Sequence, residues 1–119
     1  MVLQDWLMRQ IKAIVDTIAM IIFNRADVSY KIQDEANHTD TDMLFLRLNT
    51  MLDDGNINEA ENLLFSELDT GNMNYLLLAI DFYQKLNDKS DAELESSDFT
   101  REEIEEGLNN ILKLFEIKL

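Results

Sequence analysis

The stretch Leu52-Asp53-Asp54-Gly55-Asn56-Ile57-Asn58-Glu59-Ala60-Glu61-Asn62-Leu63-Leu64 contains a tight turn between two amphipathic segments. On both sides of Gly55, apolar residues recur at the three- and four-residue spacing of an α-helix. Gly55 can adopt the left-handed conformation that ends a helix, and Asn56 can cap the next helix with Glu59 in capping-box position. Helices joined by so short a turn lie antiparallel. The stretch therefore predicts an antiparallel helical hairpin in the middle of the chain.

This hairpin resembles one tetratricopeptide-type repeat. Residues that match the consensus of the repeat are Leu44, Met51, Gly55, Ile57, Ala60 and Leu64. Leu48 and Glu67 depart from it, because the repeat has a small residue at the first of these positions and alanine at the second. The resemblance implies right-handed packing of antiparallel helices in the middle of an all-α chain.

The composition indicates one helical domain without covalent or metal crosslinks. The chain of 119 residues is 46% hydrophobic and contains three glycines, no proline and no cysteine. The lack of cysteine excludes disulfides and thiolate metal sites, and a reducing cytoplasm is the simplest location. The net charge of -14 argues against nucleic acid as a partner, since phosphate binding requires clustered Lys and Arg. Any charged partner should be basic.

The charge is spread unevenly along the chain. Residues 1–31 carry four basic and three acidic side chains, a net charge of +1, whereas the remaining residues carry a net charge of -15. We divide the single domain, residues 1–119, into an apolar N-terminal helix at 1–23, a polar connector at 24–39 and a helical body at 40–119. Within the connector, Val28, Tyr30 and Ile32 alternate with polar residues and are expected to lie extended against the body.

The first helix, predicted from Leu3 to Phe23, is apolar over more of its surface than packing against one side requires. Its charges form a single stripe of Asp5, Arg9, Lys12 and Asp16. This helix therefore needs a second partner: a second copy of the protein, the rest of its own chain, or a membrane surface. We rank these in that order.

A membrane span is excluded by sequence. The longest uncharged run inside the helix is Thr17 to Asn24, well short of the roughly 20 residues that a span needs. A signal peptide is disfavoured because Asp5 and Asp16 interrupt the apolar pattern and no small-residue cleavage site follows. The helix also lacks the Lys-rich polar face of helices that lie on anionic bilayers.

The body contains four more main helices and one short helix. The predicted ranges are Asp40–Asp54, Ile57–Leu68, Tyr75–Leu86, Ala92–Ser96 and a last helix from Thr100 onward. The third range has almost no polar face and should be the buried central helix. Ser90 with Glu93, and Thr100 with Glu103, form capping boxes.

Two further features belong to the last helix. Phe99 and Ile104 occupy the positions of a hydrophobic staple. Gly107 lies one turn inside, where it costs roughly 1 kcal/mol against alanine, so a neighbouring helix should approach closely there.

No constellation of residues supports catalysis, a cofactor or a metal ion. His38 is the only histidine and has no cysteine or second histidine as a partner, so we interpret it as a surface residue. The acidic cluster 102–106 is explained by a solvated first helical turn. Met43, Met51 and Met73 fall on helical faces, and we interpret them as core.

Three stretches together resemble a family of small bacterial proteins catalogued as a domain of unknown function. They are residues 4–11, 55–64 and 99–108. The resemblance spans nearly the whole chain and implies an all-helical cytoplasmic protein. It brings no known activity and no functional residues.

We therefore predict an all-α protein of about five main helices arranged in antiparallel hairpins. Its predicted function is a non-enzymatic protein–protein interaction module that forms a homodimer through its first helix. The alternative is a peripheral membrane adaptor that uses the same helix. The predicted interaction residues are Trp6, Leu7, Ile11, Ile14, Ile18 and Ile22.

Overall fold

The structure, a computed structural model, describes residues 2–119. This span folds into six helices and contains no β-strand, which confirms the all-α prediction. The helices are α1 (Val2–Ile22), α2 (Asp40–Asp53), α3 (Ile57–Glu67), α4 (Met73–Asp88), α5 (Asp91–Ser96) and α6 (Arg101–Leu114). Five are the predicted main helices, and α5 is the predicted short one.

The turn between α2 and α3 uses Gly55 as predicted. Gly55 has a φ of +79°, and its N–H donates to the Leu52 carbonyl at 3.1 Å. The N–H of Asn56 donates to the Met51 carbonyl at 2.9 Å, so the two bonds together form a Schellman motif. The predicted side-chain cap at Asn56 is wrong: its ψ of 60° is not the extended conformation that turns a capping side chain back over the first helical turn, and its side chain makes no capping bond.

Side chains cap the starts of α2, α4, α5 and α6. The capping boxes of Ser90 with Glu93 and of Thr100 with Glu103 are both present. A third box, between Thr39 and Asp42, begins α2, and the sequence pattern does not predict it because its partner is Asp instead of Glu or Gln.

Helix α4 lies at the centre of the domain, in contact with α1, α2 and α6, while α2 and α3 pair with each other. From Leu76 to Tyr83 every residue of α4 is buried, which confirms its predicted central place. The connector also packs as predicted: Val28 and Tyr30 are buried, and Ile32 is partly buried against the core.

Helix α6 approaches the rest of the body closely at Gly107, as the sequence predicts. A Cβ atom at this position would lie 2.7 Å from Glu61 Oε2 and closer still to the Tyr83 hydroxyl. The Tyr83 hydroxyl itself donates to Glu61 Oε2 at 2.6 Å. Gly107 therefore makes room for a tyrosine–carboxylate pair between α4 and α3.

Candidate interaction surface

The side of α1 that faces the body carries half of the predicted interaction residues. Leu7, Ile11 and Ile18 are at most 5% exposed and belong to the domain core or border it. We therefore remove these three from the predicted interaction surface, because a side chain enclosed by its own fold has no area left for a partner. Ile14 and Ile22 are partly buried, and Trp6 is 52% exposed.

The opposite side of α1 is a second, uncharged surface that is largely exposed, with Gln10 and Thr17 half-buried. We call it the outer face and define it as Trp6, Gln10, Ala13, Thr17 and Met20, beside which Ile21 is also exposed. These five recur at alternating steps of four and three residues, which is the spacing of a helix-pairing stripe. Met20 and Ile21 are 62% and 67% exposed. The Thr17 hydroxyl donates to the Ala13 carbonyl at 2.8 Å, so even this polar group has a partner within the helix.

A flank of charged side chains borders the outer face. It consists of Asp5, Arg9, Lys12 and Asp16 and is neutral in sum. Lys12 Nζ lies 3.2 Å from Asp16 Oδ2 in an exposed pair. Arg9 is exposed and forms no ion pair with any side chain that the structure describes.

Helix α1 is fixed to the body by a buried polar network around Arg101. Arg101 is 1% exposed, and its guanidinium donates to the carbonyls of Asn87 and Lys89 at 2.9 and 2.7 Å and to Asp91 Oδ1 at 3.0 Å. The side-chain amide of Asn87 in turn donates to the carbonyl of Met8 in α1 at 3.0 Å. The network holds α1 with its outer face towards solvent.

A groove of about 310 Å³ lies between α2, α3 and the start of α4. Met43 lines it and is 61% exposed, and Met73 is 46% exposed at the start of α4. The interpretation of both methionines as core is therefore wrong, because about half or more of each residue is exposed to solvent. Asp40, Arg47 and Glu67 also line the groove, which makes it more polar than the outer face.

The candidate residues for catalysis or metal binding do not come together in a site. His38 lies 3.2 Å from the exposed carboxylate of Glu35. Among the described residues, no three His, Cys, Asp or Glu side chains come together as a metal site. No helix in residues 2–119 has the length and apolar character to cross a membrane.

Comparison with known proteins identifies a family for this chain but no individual relative. Neither the curated proteins nor the solved structures contain a significant match to it. A family model does match, over residues 1–116, and its description is that of a family of unknown function, DUF6483. The all-helical fold, the capped turns and the outer face of α1 are thus features of a chain that belongs to the DUF6483 family.

Proposed function

We propose that this protein is a non-enzymatic interaction module that forms a homodimer through the outer face of α1. One observation carries the proposal: in a chain with a net charge of -14, this uncharged stripe exposes the large apolar residues Trp6 and Met20 on the longest helix. Burial of such a surface against a partner is favourable at about 25 cal/mol per Å² of apolar area.

Electrostatics favours this helix over the rest of the surface as the contact between two copies. Residues 1–23 hold two acidic and two basic side chains, so two such helices do not repel each other. The remainder of the chain is strongly acidic, and like-charged bodies oppose association. Since the buried side of α1 faces the body, pairing through the outer face keeps the two acidic bodies apart.

The dimensions of α1 also suit a modest dimer interface. Its 21 residues extend about 31 Å at 1.5 Å per residue. A stable interface commonly buries about 800 Å² per partner. One helix face of this length supplies part of that area, so we expect a dimer that dissociates in the micromolar range.

A membrane surface is the alternative partner for the same face. The charged flank beside the outer face holds as many acids as bases, whereas helices that lie on anionic bilayers carry an excess of Lys and Arg. We therefore favour the second copy and treat the membrane as an outcome of the experiment.

The decisive experiment compares two glutamate variants by sedimentation velocity from 1 to 200 µM. Met20→Glu places a charge in the outer face, and Met43→Glu places one on an equally exposed methionine of α2. We expect wild type and Met43→Glu to dimerise with similar constants, and Met20→Glu to remain monomeric or to dimerise at least tenfold more weakly. Circular dichroism at each concentration checks that both variants keep their helices.

Trp6, the only tryptophan, supplies a second measurement. Its fluorescence should shift to shorter wavelength as the wild-type protein is concentrated, since the indole leaves water on pairing. A wild-type protein that stays monomeric at 200 µM would refute the homodimer. Flotation of such a monomer with liposomes would then support the membrane alternative.

Two finer proposals concern the fold and the location. We propose that the α2–α3 hairpin packs in the right-handed manner of a tetratricopeptide repeat, supported by buried Leu44, Ala60 and Leu64 at matching positions. We also propose a cytoplasmic location, which the lack of cysteine supports.

A further inference from the structure

We infer that the two α1 helices pair antiparallel, about a twofold axis that passes beside Ala13, and that Arg9 of each copy binds Asp16 of the other. This inference rests on the proposed homodimer and specifies its geometry. It is carried by three features of α1: the symmetry of the outer face, the unequal character of its two flanks, and the small residue at its centre.

The outer face is symmetric about Ala13. Trp6 and Met20 each lie seven positions from Ala13, on opposite sides and on the same stripe. In an antiparallel pair centred at Ala13, Trp6 of one copy therefore meets Met20 of the other at both ends of the contact. Methionine is unbranched and adapts well to an aromatic ring, and sulfur–aromatic contacts are favourable. Both side chains are at least half exposed in the single chain and are free to make this contact.

The two flanks of the outer face differ in character. One flank is charged and contains Arg9 and Asp16, and the other is apolar and contains Ile14 and Ile21. In an antiparallel pair the twofold axis is perpendicular to the helices, so the charged flank of one copy lies beside the charged flank of the other. In a parallel pair the axis runs along the helices, so the charged flank of one copy lies beside the apolar flank of the other. Only the antiparallel arrangement therefore matches charge with charge and apolar side chains with apolar side chains.

Within the antiparallel pair the charges have the correct sign. Arg9 lies four positions before Ala13 and Asp16 three positions after it, so the two meet within about 1.5 Å along the helix axis. Arg9 has no ion-pair partner among the described side chains, and Asp16 is bound on one side by exposed Lys12. Each dimer would contain this ion pair twice. In a parallel pair, the charged flank would instead face Ile14 and Ile21 of the second copy.

The centre of the contact permits close approach. Ala13 is exposed, and its methyl group is the smallest side chain of the outer face. Packed helix axes lie about 8–10 Å apart and Cα atoms about 2.3 Å from their axis, which leaves roughly 3.4–5.4 Å between the facing Cα atoms. This separation overlaps the range of about 4.4–6.8 Å that a disulfide requires.

Cysteine crosslinking tests the orientation directly, because the natural chain has no cysteine. Ala13→Cys should form a disulfide-linked dimer readily under mild oxidation. Met20→Cys alone should not, since the two copies of this position lie about 21 Å apart in the antiparallel pair. A mixture of Trp6→Cys and Met20→Cys proteins should yield mainly the mixed dimer.

A charge exchange tests the ion pair. Arg9→Asp should weaken dimerisation roughly fivefold to tenfold, because each dimer loses two exposed pairs and gains two repulsive contacts. The double variant Arg9→Asp with Asp16→Arg should restore dimerisation to within about twofold of wild type. Sedimentation velocity at matched salt measures all three constants, and the differences should shrink at 0.5 M NaCl.

The outcomes separate this inference from the proposed function. Self-crosslinking of Met20→Cys would overturn the antiparallel arrangement while leaving the homodimer intact, because a parallel pair brings identical positions together. A wild-type dimer in which Ala13→Cys does not crosslink would overturn the placement of the axis. A wild-type protein that stays monomeric in sedimentation would overturn both proposals together.

Discussion

Two tyrosine–carboxylate hydrogen bonds, at two different contacts between elements, have nearly the same length, yet the pKa values of their carboxyl groups shift in opposite directions. Tyr30 donates to Asp42 at 2.5 Å where the connector meets α2, and Tyr83 donates to Glu61 at 2.6 Å where α4 meets α3. Burial, with the bond to Asp42, raises the pKa of Tyr30 to about 12. Burial, with the bond to Glu61, also raises the pKa of Tyr83. Both phenols therefore stay protonated as donors at neutral pH.

The two carboxyl groups differ because of what else surrounds them. The hydroxyl of Tyr30 and then the backbone N–H of Thr39 lower the pKa of Asp42. Burial raises the pKa of Glu61, and the charges of Glu103 and Glu106 raise it further, against the opposing effect of Tyr83. The same kind of bond thus stabilises the ionised carboxylate of Asp42 and only partly offsets the desolvation of Glu61. A short hydrogen bond alone does not indicate which case applies.

The largest expected effect is the loss of the Asp42 carboxylate. Asp42→Ala leaves the buried Tyr30 hydroxyl without its acceptor and removes half of the capping box that starts α2. We expect a loss of about 2 kcal/mol of unfolding free energy at pH 7, measured by urea denaturation. Asp40→Ala is the matched control, since Asp40 is an exposed acid in the same helical turn and should change stability by less than about 0.5 kcal/mol.

The pH dependence of this variant has a definite sign. Because the folded pKa of Asp42 is lowered, its contribution is present above the ordinary value of 3.8 and is lost as the pH falls through the folded value. The difference between wild type and Asp42→Ala should therefore shrink as the pH falls from 5 towards 3. A difference that stays constant over this range would mean that the charge of Asp42 does not contribute.

The second largest expected effect on stability comes from filling the space that Gly107 leaves beside the Tyr83–Glu61 pair. Gly107→Ala improves helix propensity by roughly 1 kcal/mol but places a methyl group against Tyr83 and Glu61. Overpacking of a buried site typically costs about 1–3 kcal/mol, so we expect a net loss of about 1 kcal/mol. Asn109→Ala on the exposed side of α6 gives the propensity effect alone. Thermal unfolding should show Gly107→Ala below wild type and Asn109→Ala at or above it, and equal gains for both would refute the close contact.

The smallest expected effect is a gain in unfolding free energy. Glu61→Gln keeps an oxygen that accepts from Tyr83 and removes a charge that burial and two neighbouring glutamates oppose. Because Glu61 is only half-buried, solvent screening reduces the cost of its charge. We therefore expect Glu61→Gln to be about 0.5 kcal/mol more stable than wild type at pH 7. Glu59→Gln removes an exposed charge from the same helix and serves as the control.

The pH dependence of Glu61→Gln is opposite to that of Asp42→Ala. Because the folded pKa of Glu61 is raised, its favourable contribution is complete below the ordinary value of 4.5 and is lost as the pH rises through the folded value. The advantage of Glu61→Gln over wild type should therefore be absent at pH 4 and should grow towards pH 7. An advantage already present at pH 4 would assign the gain to packing instead of charge.

Most features that the sequence predicts correctly are fixed by residues close together in the chain, while the central place of α4 follows from its lack of a polar face. The Gly55 turn, the capping boxes at Ser90 and Thr100, and the helix boundaries, which are predicted to within two residues, depend on neighbours within about five positions. Gly107 belongs here as well, since a glycine inside a helix signals close packing whatever the neighbour is. The side-chain cap at Asn56 fails because the Schellman turn before it sets a backbone conformation that residue preferences alone do not reveal.

The burial of Arg101 and the division of α1 into a buried and an exposed side depend on distant partners and could not be predicted. Arg101 reads as a surface residue in the first turn of a helix, and its burial depends on carbonyls that the end of α4 supplies. In α1, the sequence shows an excess of apolar residues, but both sides of the helix are apolar. Only the packing against α4 and α6 separates buried Ile11 from exposed Met20.

The Arg101 network has a consequence for how the protein opens. Its bonds join the end of α4 to α6, and Asn87 extends them to α1, so the helix that presents the outer face cannot detach without leaving buried polar groups unsatisfied. In native-state hydrogen exchange, the amides of α1 should therefore exchange together with those of α6 as one cooperative unit. The outer face then acts as a fixed part of the rigid fold, and binding to it requires no prior ordering of the N-terminal helix.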